Sequence, residues 1–500
     1  MLQAETSKDD SAFFRLLYST SSKESFEMKQ YQFTVKSQLS ILSLSLLSLC
    51  SVQAIAHHED DFFSMSIEQL LNVETSVASI YSESSADAPS IVSVFTANEI
   101  ESLGVDELFD LMNFVPGFQS VTGEFISSHK KLQSRGVYLD SGYVLIMVDG
   151  VRLNEVSFGQ AGVYTPRIDL SNAQRVEVIR GTGSAIYGSN AYLGVVNIIT
   201  KKQNNTVYEV GSNNHHKVSA NVHQTLELGE IAINASHIQG DGETFSSDLL
   251  NTENSPQDYK NNRPYQHQKF GISWGNQSVQ IQYNADSHEL DRFVNLEGYH
   301  PDNYFKSLNQ YVAASADHTF ANKVNWKTKV SFSQHEIESA GFIFAGTIKP
   351  FSYDFINGPN WSTRSRNITS EINYQWTEKL SVNLGGEWQQ GEQYKAGVTS
   401  THITRDQEST IPMDNYYLGE VEVFDQLGDF DAVLNELESS SIFGQIKYSL
   451  TNDRTLHFGG RYEDYKQLED KFSPRISYIE RFNPHSQFKF VYSEAFRAPT

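Results

Sequence analysis

Residues 181–188 read Gly-Thr-Gly-Ser-Ala-Ile-Tyr-Gly, and glycines at this density can let backbone amides cradle a phosphate. The details argue against that chemistry. A phosphate loop needs a lysine after its last glycine, where Ser189 stands, and a dinucleotide fingerprint starting at Gly181 needs its third glycine where Ile186 stands. His57, His58, Glu59, Asp60 and Asp61 have the composition of a metal site but read as a solvated charge run. Cys50 is the single cysteine and lies in an N-terminal apolar stretch, so disulfides, thiolate zinc sites and a cysteine nucleophile are excluded from the mature chain. No Ser, His and Asp set and no carboxylate pair is spaced to act together. The sequence therefore points to no catalysis, no metal site and no resident cofactor.

The elements around the loop are those of a packed unit. Val176, Val178 and Ile179 form one β-branched run and Val195, Val196, Ile198 and Ile199 another, with Gly181, Gly183, Gly188 and Gly194 between or beside them. Upstream, Thr96 and Glu99 fit a capping box that opens a short helix closed by Gly104. Asp106 is expected to cap a second helix through Met112, stopped by Val115-Pro116-Gly117. An apolar strand over 143–148 then meets Asp149-Gly150, a strong two-residue hairpin signal, and returns over 151–153. Residues 89–202 are thus read as one α/β unit.

After about residue 205 the pattern changes to period two. Val279, Ile281 and Tyr283 alternate with polar neighbours; so do Val382, Leu384 and Trp388; Ile442, Ile446, Tyr448 and Leu450; and Leu456, Phe458 and Tyr462, the last set interleaved with His457, Arg461 and Glu463. A soluble sandwich would show the same alternation. The connections favour a membrane barrel: short turns such as Thr451-Asn452-Asp453 alternate with long polar stretches, 239–268 and 391–441. Hydrophobic residues make up only 39% of the 500, aromatics 12%, and mean hydropathy is -0.42, which suits strands with one lipid face and one polar face and excludes a helical membrane bundle. The formal charge of -23 opposes any nucleic-acid role. It belongs to the mature part, because the first 54 residues hold five basic and five acidic side chains.

From Met28, Lys29 and Lys36 precede an apolar stretch over 39–49 and small residues Ala54 and Ala56, the layout of a cleaved secretory signal. The expected organisation is a spurious extension over 1–27, a signal peptide over 28–56, a periplasmic segment over 57–88, the α/β unit over 89–202 and strands over 203–500.

Read in order, Arg135-Gly136, Val148-Asp149-Gly150-Val151, Val176-Glu177-Val178-Ile179-Arg180-Gly181, Ala185-Ile186-Tyr187-Gly188, Gly194-Val195-Val196-Asn197-Ile198-Ile199-Thr200 and Ser493-Glu494-Ala495-Phe496-Arg497-Ala498-Pro499-Thr500 resemble a TonB-dependent outer-membrane receptor, of the colicin I receptor and vitamin B12 receptor branch. Thr182 departs from that pattern, which often has proline there. The resemblance implies a transmembrane β-barrel of about 22 strands when complete, its last strands missing here, with the α/β unit as a plug in the lumen. It implies a monomeric barrel in outer-membrane lipid of a Gram-negative bacterium, importing a scarce metal complex, a ferric siderophore or cobalamin, with energy from TonB. A passive porin or surface adhesin is the alternative from another class, and the plug argues against it.

The resemblance also assigns residues. The TonB-box candidate is Val73, Glu74, Thr75, Ser76 and Val77, a β-prone strip able to add as an edge strand to a partner, with an ordinary linker as the alternative. Plug motif residues are Arg135, Gly136, Asp149, Gly150, Arg180, Gly181, Tyr187, Gly188, Gly194 and Asn197. Arg135 and Arg180 are candidates for ion pairs with the wall, Glu494 being the candidate partner; the plain alternative is that each arginine braces its own glycine turn. Tyr187 reads as a packed aromatic. Tyr299, Tyr304, Tyr416 and Tyr417 are open between ligand contact and loop packing, and the ligand-binding residues stay unassigned.

Overall fold

The computed structural model describes residues 74–75, 83–84, 87–122, 129–137, 142–242, 264–293, 300–320, 323–344, 346, 353–402, 417–425, 436–483 and 486–498. The signal segment, the His57–Asp61 run, Val73, Ser76, Val77, Tyr299, Tyr416, Pro499 and Thr500 lie outside these residues.

The α/β unit begins with β1 (Val92–Thr96), which runs into α1 (Ala97–Ser102) through a complete capping box: Thr96 Oγ1 accepts from the Glu99 amide at 3.3 Å, and the Glu99 carboxylate accepts from the Thr96 amide at 2.7 Å. The second helix, α2 (Leu108–Leu111), differs from expectation. Its N-cap is Glu107, not Asp106, because the Asp106 carboxylate is occupied by Arg167 at 2.8 Å. A hairpin of β2 (Phe118–Thr122) and β3 (Lys130–Ser134) follows, then β4 (Val144–Val148) and β5 (Val151–Arg152), and finally β6 (Ala173–Arg180), α3 (Ser184–Tyr187) and β7 (Gly194–Thr200). Five strands form one sheet in the order β1-β6-β7-β4-β5, in which β6 and β7 are antiparallel and β7 and β4 parallel.

Every residue of β4 is buried because the sheet is covered on both faces. Val144, Ile146 and Val148 enter one apolar cluster with Leu108, Phe109, Leu111 and Met112; Leu145 and Met147 enter another with Ile179 and Val195. Each such side chain contributes about 1.5–3 kcal/mol on burial. At the turn after β4, Asp149 and Gly150 take φ of 48° and 71°, the pair of positive angles that a type I′ hairpin requires and that Asp-Gly tolerates.

Among the described residues, fourteen antiparallel strands form the second sheet. It starts at Asn205–Gly211 and proceeds by nearest-neighbour pairing to Ser486–Ser493. The segment 391–441 is not one long loop. Its first part continues the strand Leu380–His402, and a further strand Tyr417–Phe424 pairs back onto it, because ladder bonds such as Gly391 to Ser365 satisfy the backbone despite the polar side chains.

The alternation is inverted relative to a soluble protein. On the strand Arg454–Tyr465, Phe458 and Tyr462 are exposed while His457, Arg461 and Glu463 are buried. Ile281, Leu384, Ile442, Ile446, Tyr448, Leu450 and Ile476 also point outward, and Asn309, His335, Asn383, Gln445, Ser473 and Ser477 inward. Apolar side chains outside and polar ones inside belong to a sheet whose outer solvent is lipid. Among the described residues no helix is long and apolar enough to cross a membrane.

Candidate functional site: the seam between the α/β unit and the strand wall

The side chains that could do work converge where the α/β unit meets the polar inner face of the large sheet. Arg152, at the end of β5, places Nη2 3.5 Å from Glu387 Oε1 on the wall strand Leu380–His402. Glu387 is held in turn by wall residue Arg461, whose Nη2 lies 2.5 Å from Oε2. Arg461 Nε lies 3.2 Å from Glu463 Oε1. Both arginines also reach backbone carbonyls of α3: Arg461 donates to Ile186 O at 3.1 Å, and Arg152 donates to Tyr187 O. Two guanidiniums thus grip α3 and share one buried carboxylate, an arrangement in which each charge needs the others because water is excluded. Gly188, at φ 69°, closes α3 where an added Cβ would collide with Glu463 Oε1.

A second contact set has the opposite polarity. Asp169 is fully buried; its Oδ1 lies 3.4 Å from wall Lys217 Nζ, and its Oδ2 accepts from wall Ser236 Oγ at 3.0 Å and from Ser171 Oγ at 2.5 Å. Burial works to raise this carboxyl's pKa, but Lys217, Lys269 and His267 outweigh it and hold the group well below the usual carboxylate range. Lys217 also lies 3.5 Å from Asp106, wall Lys269 donates to Asn172 Oδ1 at 2.8 Å, and wall Ser219 donates to Ser171 Oγ at 2.9 Å.

A third set holds residues 87–90, just ahead of β1. Arg475 donates to Pro89 O and Ser90 Oγ, Lys489 donates to Ala88 O at 2.9 Å, and Arg481 pairs with Asp87 at 2.8 Å.

Within the α/β unit, Glu155 is buried and accepts from the amides of Ser157 and Phe158 at 2.6 and 2.8 Å. Burial pushes its carboxyl up to about 7 despite those bonds. The loop it shapes presents Phe158, which stacks on wall Trp361 with ring centroids 5.5 Å apart.

The residues singled out from sequence take the following places. Arg135 donates from Nη2 to Arg180 O at 2.8 Å, bracing the turn at Gly181. Among the described residues, Arg180 and Glu494 are not brought together: Arg180 Nε has no hydrogen-bond partner, and Glu494 accepts from its neighbour Tyr492 at 2.8 Å. The plug-to-wall carboxylate is Glu387 instead, because its strand position faces the lumen opposite α3. Asp149 accepts from the Thr200 amide and hydroxyl at 3.0 and 2.8 Å, and Asn197 accepts from the Gly150 amide at 3.0 Å, so these two residues fix the hairpin turn. Lys329 on the wall then donates to Asp149 O at 2.7 Å. Tyr187 packs against the cluster around Leu145 and Ile179, and an added Cβ at Gly194 would meet Phe118 at 2.7 Å. Gly136 follows Arg135 in a tight turn closed by Val137 N to Ser134 O at 3.0 Å. Glu74 and Thr75 form a two-residue strand paired with Glu83–Ser84. Tyr304 donates to Glu338 at 3.1 Å, and Tyr417 stacks on Tyr353 at 4.1 Å, both at the end of the sheet where the long connections lie.

Arg152, Asp169, Lys217, Lys269 and Arg475 carry no local signal in the sequence, whereas Glu387 lies in the polar phase of the alternation of Val382, Leu384 and Trp388. A signal existed for the wall: Arg461 and Glu463 occupy the polar phase of an alternating strand, and charges on the face opposite lipid must meet something in the lumen. No group of three or more His, Cys, Asp or Glu residues is placed to hold a metal ion among the described residues.

Comparison with known proteins bears on this geometry. Residues 84–195 match the TonB-dependent Receptor Plug Domain, and residues 240–500 match the TonB dependent receptor-like β-barrel. A vitamin B12 transporter BtuB from Photobacterium profundum is 25% identical over 316 residues, covering 62% of this chain and 48% of that one; BtuB from Vibrio vulnificus is 23% identical, covering 70% and 54%. The chain spans about half the length of these curated relatives. The pyoverdine outer membrane receptor FpvA from Pseudomonas aeruginosa PAO1 superposes with a TM-score of 0.63 at 12% identity, over 82% of this chain and 63% of that one. The ferric-catecholate import receptor Fiu from E. coli K12 gives 0.58 at 13% identity, over 83% and 71%.

Proposed function

We propose that this chain, which belongs to the TonB-dependent receptor family, is the plug and part of the barrel of an active importer in the outer membrane of a Gram-negative bacterium. The observation that carries the reading is the seam itself. An α/β unit tied to the inner face of the wall by buried charges at Arg152, Glu387 and Arg461 must shift before a solute can pass it, so passage requires work on the plug. A passive porin has no use for such a seam.

Energy would arrive through TonB at Val73–Val77, where extended backbone can accept an edge-strand partner. The short pairing of Glu74 with Ser84 supports extended geometry there. The cargo is a small metal complex, a ferric siderophore, carried by a monomeric barrel exported through a cleaved signal over 28–56. Likeness to BtuB proteins favours a second reading, cobalamin. Growth of an iron-starved or cobalamin-dependent strain expressing the chain, with and without TonB, separates the two; rescue by neither would refute both.

A further inference from the structure

On the lipid-facing side of the wall the apolar side chains stop at a definite level. Three neighbouring strands, Val324–Phe344, Phe355–Thr377 and Leu380–His402, carry outward residues in one register. Val330 stands opposite Ile368, and Ile368 opposite Trp388; one step toward the long connections, Phe332 stands opposite Arg366 and Arg366 opposite Gln390; one step further, Gln334 stands opposite Arg364 and Arg364 opposite Glu392. The alternate residues Ser333, His335 and Thr363 are buried toward the lumen, while Val330, Ile368, Leu384 and Ile442, in the outward phase, are exposed. Arg366 therefore stands on the membrane side of the wall, about 7 Å along the strand from Ile368. The long connections mark the extracellular end of such barrels, so Arg366 faces the outer leaflet.

The charges around Arg366 do not balance. Arg364 Nε lies 2.5 Å from Glu392 Oε1, and Arg366 Nη2 lies 3.9 Å from the same oxygen, so two guanidiniums share one carboxylate. Arg366 also donates to the neutral Gln390 Oε1 at 2.8 Å, and its side chain remains 46% exposed. The nearby carboxylates are otherwise engaged. Glu336 accepts from Gln334 at 2.6 Å, Glu436 accepts from the Gln390 amide at 3.1 Å, and Glu438 is held by Lys466 at 2.5 Å and by the Trp388 indole at 3.1 Å. One positive charge is left over beside the apolar band, where water is scarce and an uncompensated charge is costly.

We propose that Arg366, with Phe332 on one neighbouring strand and Trp388 on the other, is a site for a phosphate carried by a lipid of the outer leaflet. A planar guanidinium suits a phosphate, and aromatic rings suit the boundary between headgroup and acyl chain. Val330, Ile368, Leu384 and Ile442 give the chains of that lipid an apolar bed. The carboxylates decide where the phosphate comes from. Glu336, Glu392 and Glu436 stand on the water side of Arg366 and oppose a soluble anion, whereas a lipid brings its phosphate in from the membrane side. The site depends on neither the plug nor the cargo, and so goes beyond the import reading.

The full chain, purified from outer membranes in detergent, is titrated with lipid A, with lipid A stripped of its phosphates and with glucosamine 1-phosphate, and the bound molecules are counted by native mass spectrometry. Lipid A should bind, and the stripped lipid and the soluble phosphate should bind at least about tenfold more weakly. Arg366→Gln should weaken lipid A binding about tenfold, and Arg366→Lys, which keeps the charge, should recover most of that loss. Arg454→Gln, at an exposed arginine of the short-turn end, should change nothing. Phe332→Glu, which supplies Arg366 with a carboxylate of its own, should match Arg366→Gln and replaces it if that variant does not reach the outer membrane. Equal binding of the stripped lipid, an Arg366-dependent affinity for glucosamine 1-phosphate as high as for lipid A, unchanged affinity in both Arg366→Gln and Phe332→Glu, or an equal loss in Arg454→Gln overturns the proposal.

Discussion

Replacing Glu387 by glutamine keeps the volume of the wall residue and removes the charge that two arginines share. Breaking a buried ion pair costs about 3–5 kcal/mol when the partner is left uncompensated. Here the loss should sit at the low end, about 3 kcal/mol, because Arg461 keeps Glu463 at 3.2 Å and Arg152 keeps the carbonyls of Tyr187 and Ser189. The readout is built in: Trp361 stacks on Phe158 of the plug, so with the other tryptophans changed to phenylalanine its fluorescence reports plug docking. With a urea slope of about 2 kcal/mol/M, undocking should occur about 1.5 M earlier in Glu387→Gln than in the parent. Adding Arg152→Met to Glu387→Gln should cost less than the sum of the single changes, since the stranded charge is removed. A shift below about 0.3 M, or strict additivity, would refute the claim that this cluster docks the plug.

Three further outcomes follow from single contacts. Glu155 has a folded pKa of about 7, raised from 4.5, so the stability it contributes is present in full below about pH 4.5 and lost as pH rises through 7; the undocking midpoint should fall by the equivalent of about 3 kcal/mol between pH 5 and 8, and Glu155→Gln should flatten that slope. Asp169 does not confuse this window, since its depressed pKa leaves its contribution complete there. Gly188→Ala, which combines a positive φ with a Cβ driven into Glu463 Oε1, should lower the urea midpoint by at least about 1 M, and a parent-like midpoint would show the loop to be more yielding than it looks. Ser76→Pro should abolish uptake and leave ligand binding intact, which cells and purified protein can report separately; unchanged uptake would move the TonB box elsewhere.

Local features of the fold were legible in the sequence because their causes are local. The capping box at Thr96 and Glu99, the Asp149-Gly150 turn and the hairpin of β6 and β7 each depend on residues a few positions apart or on plain β-branched runs. Asp106 misled because a cap position competes with an ion pair, and Arg167 won a partner that is remote in sequence. The wall partner of the plug was hidden for the same reason: Arg152 and Glu387 are 235 residues apart, and only the register of the barrel strands against the plug decides which carboxylate arrives. Arg135 could be read either as a wall anchor or as a brace, and its bond to the Arg180 carbonyl places it at the turn. Period-two alternation gave strands without saying which face met water. The exposed Phe458 and Tyr462 and the buried Arg461 and Glu463 supply that.

Energised import is read from the accumulation of radiolabelled ferric catecholate and of cyanocobalamin by cells expressing the chain, with TonB intact or deleted. One of the two solutes should accumulate, and accumulation should vanish without TonB. Accumulation of either solute at the same rate in both strains, or of neither in any strain, would contradict it.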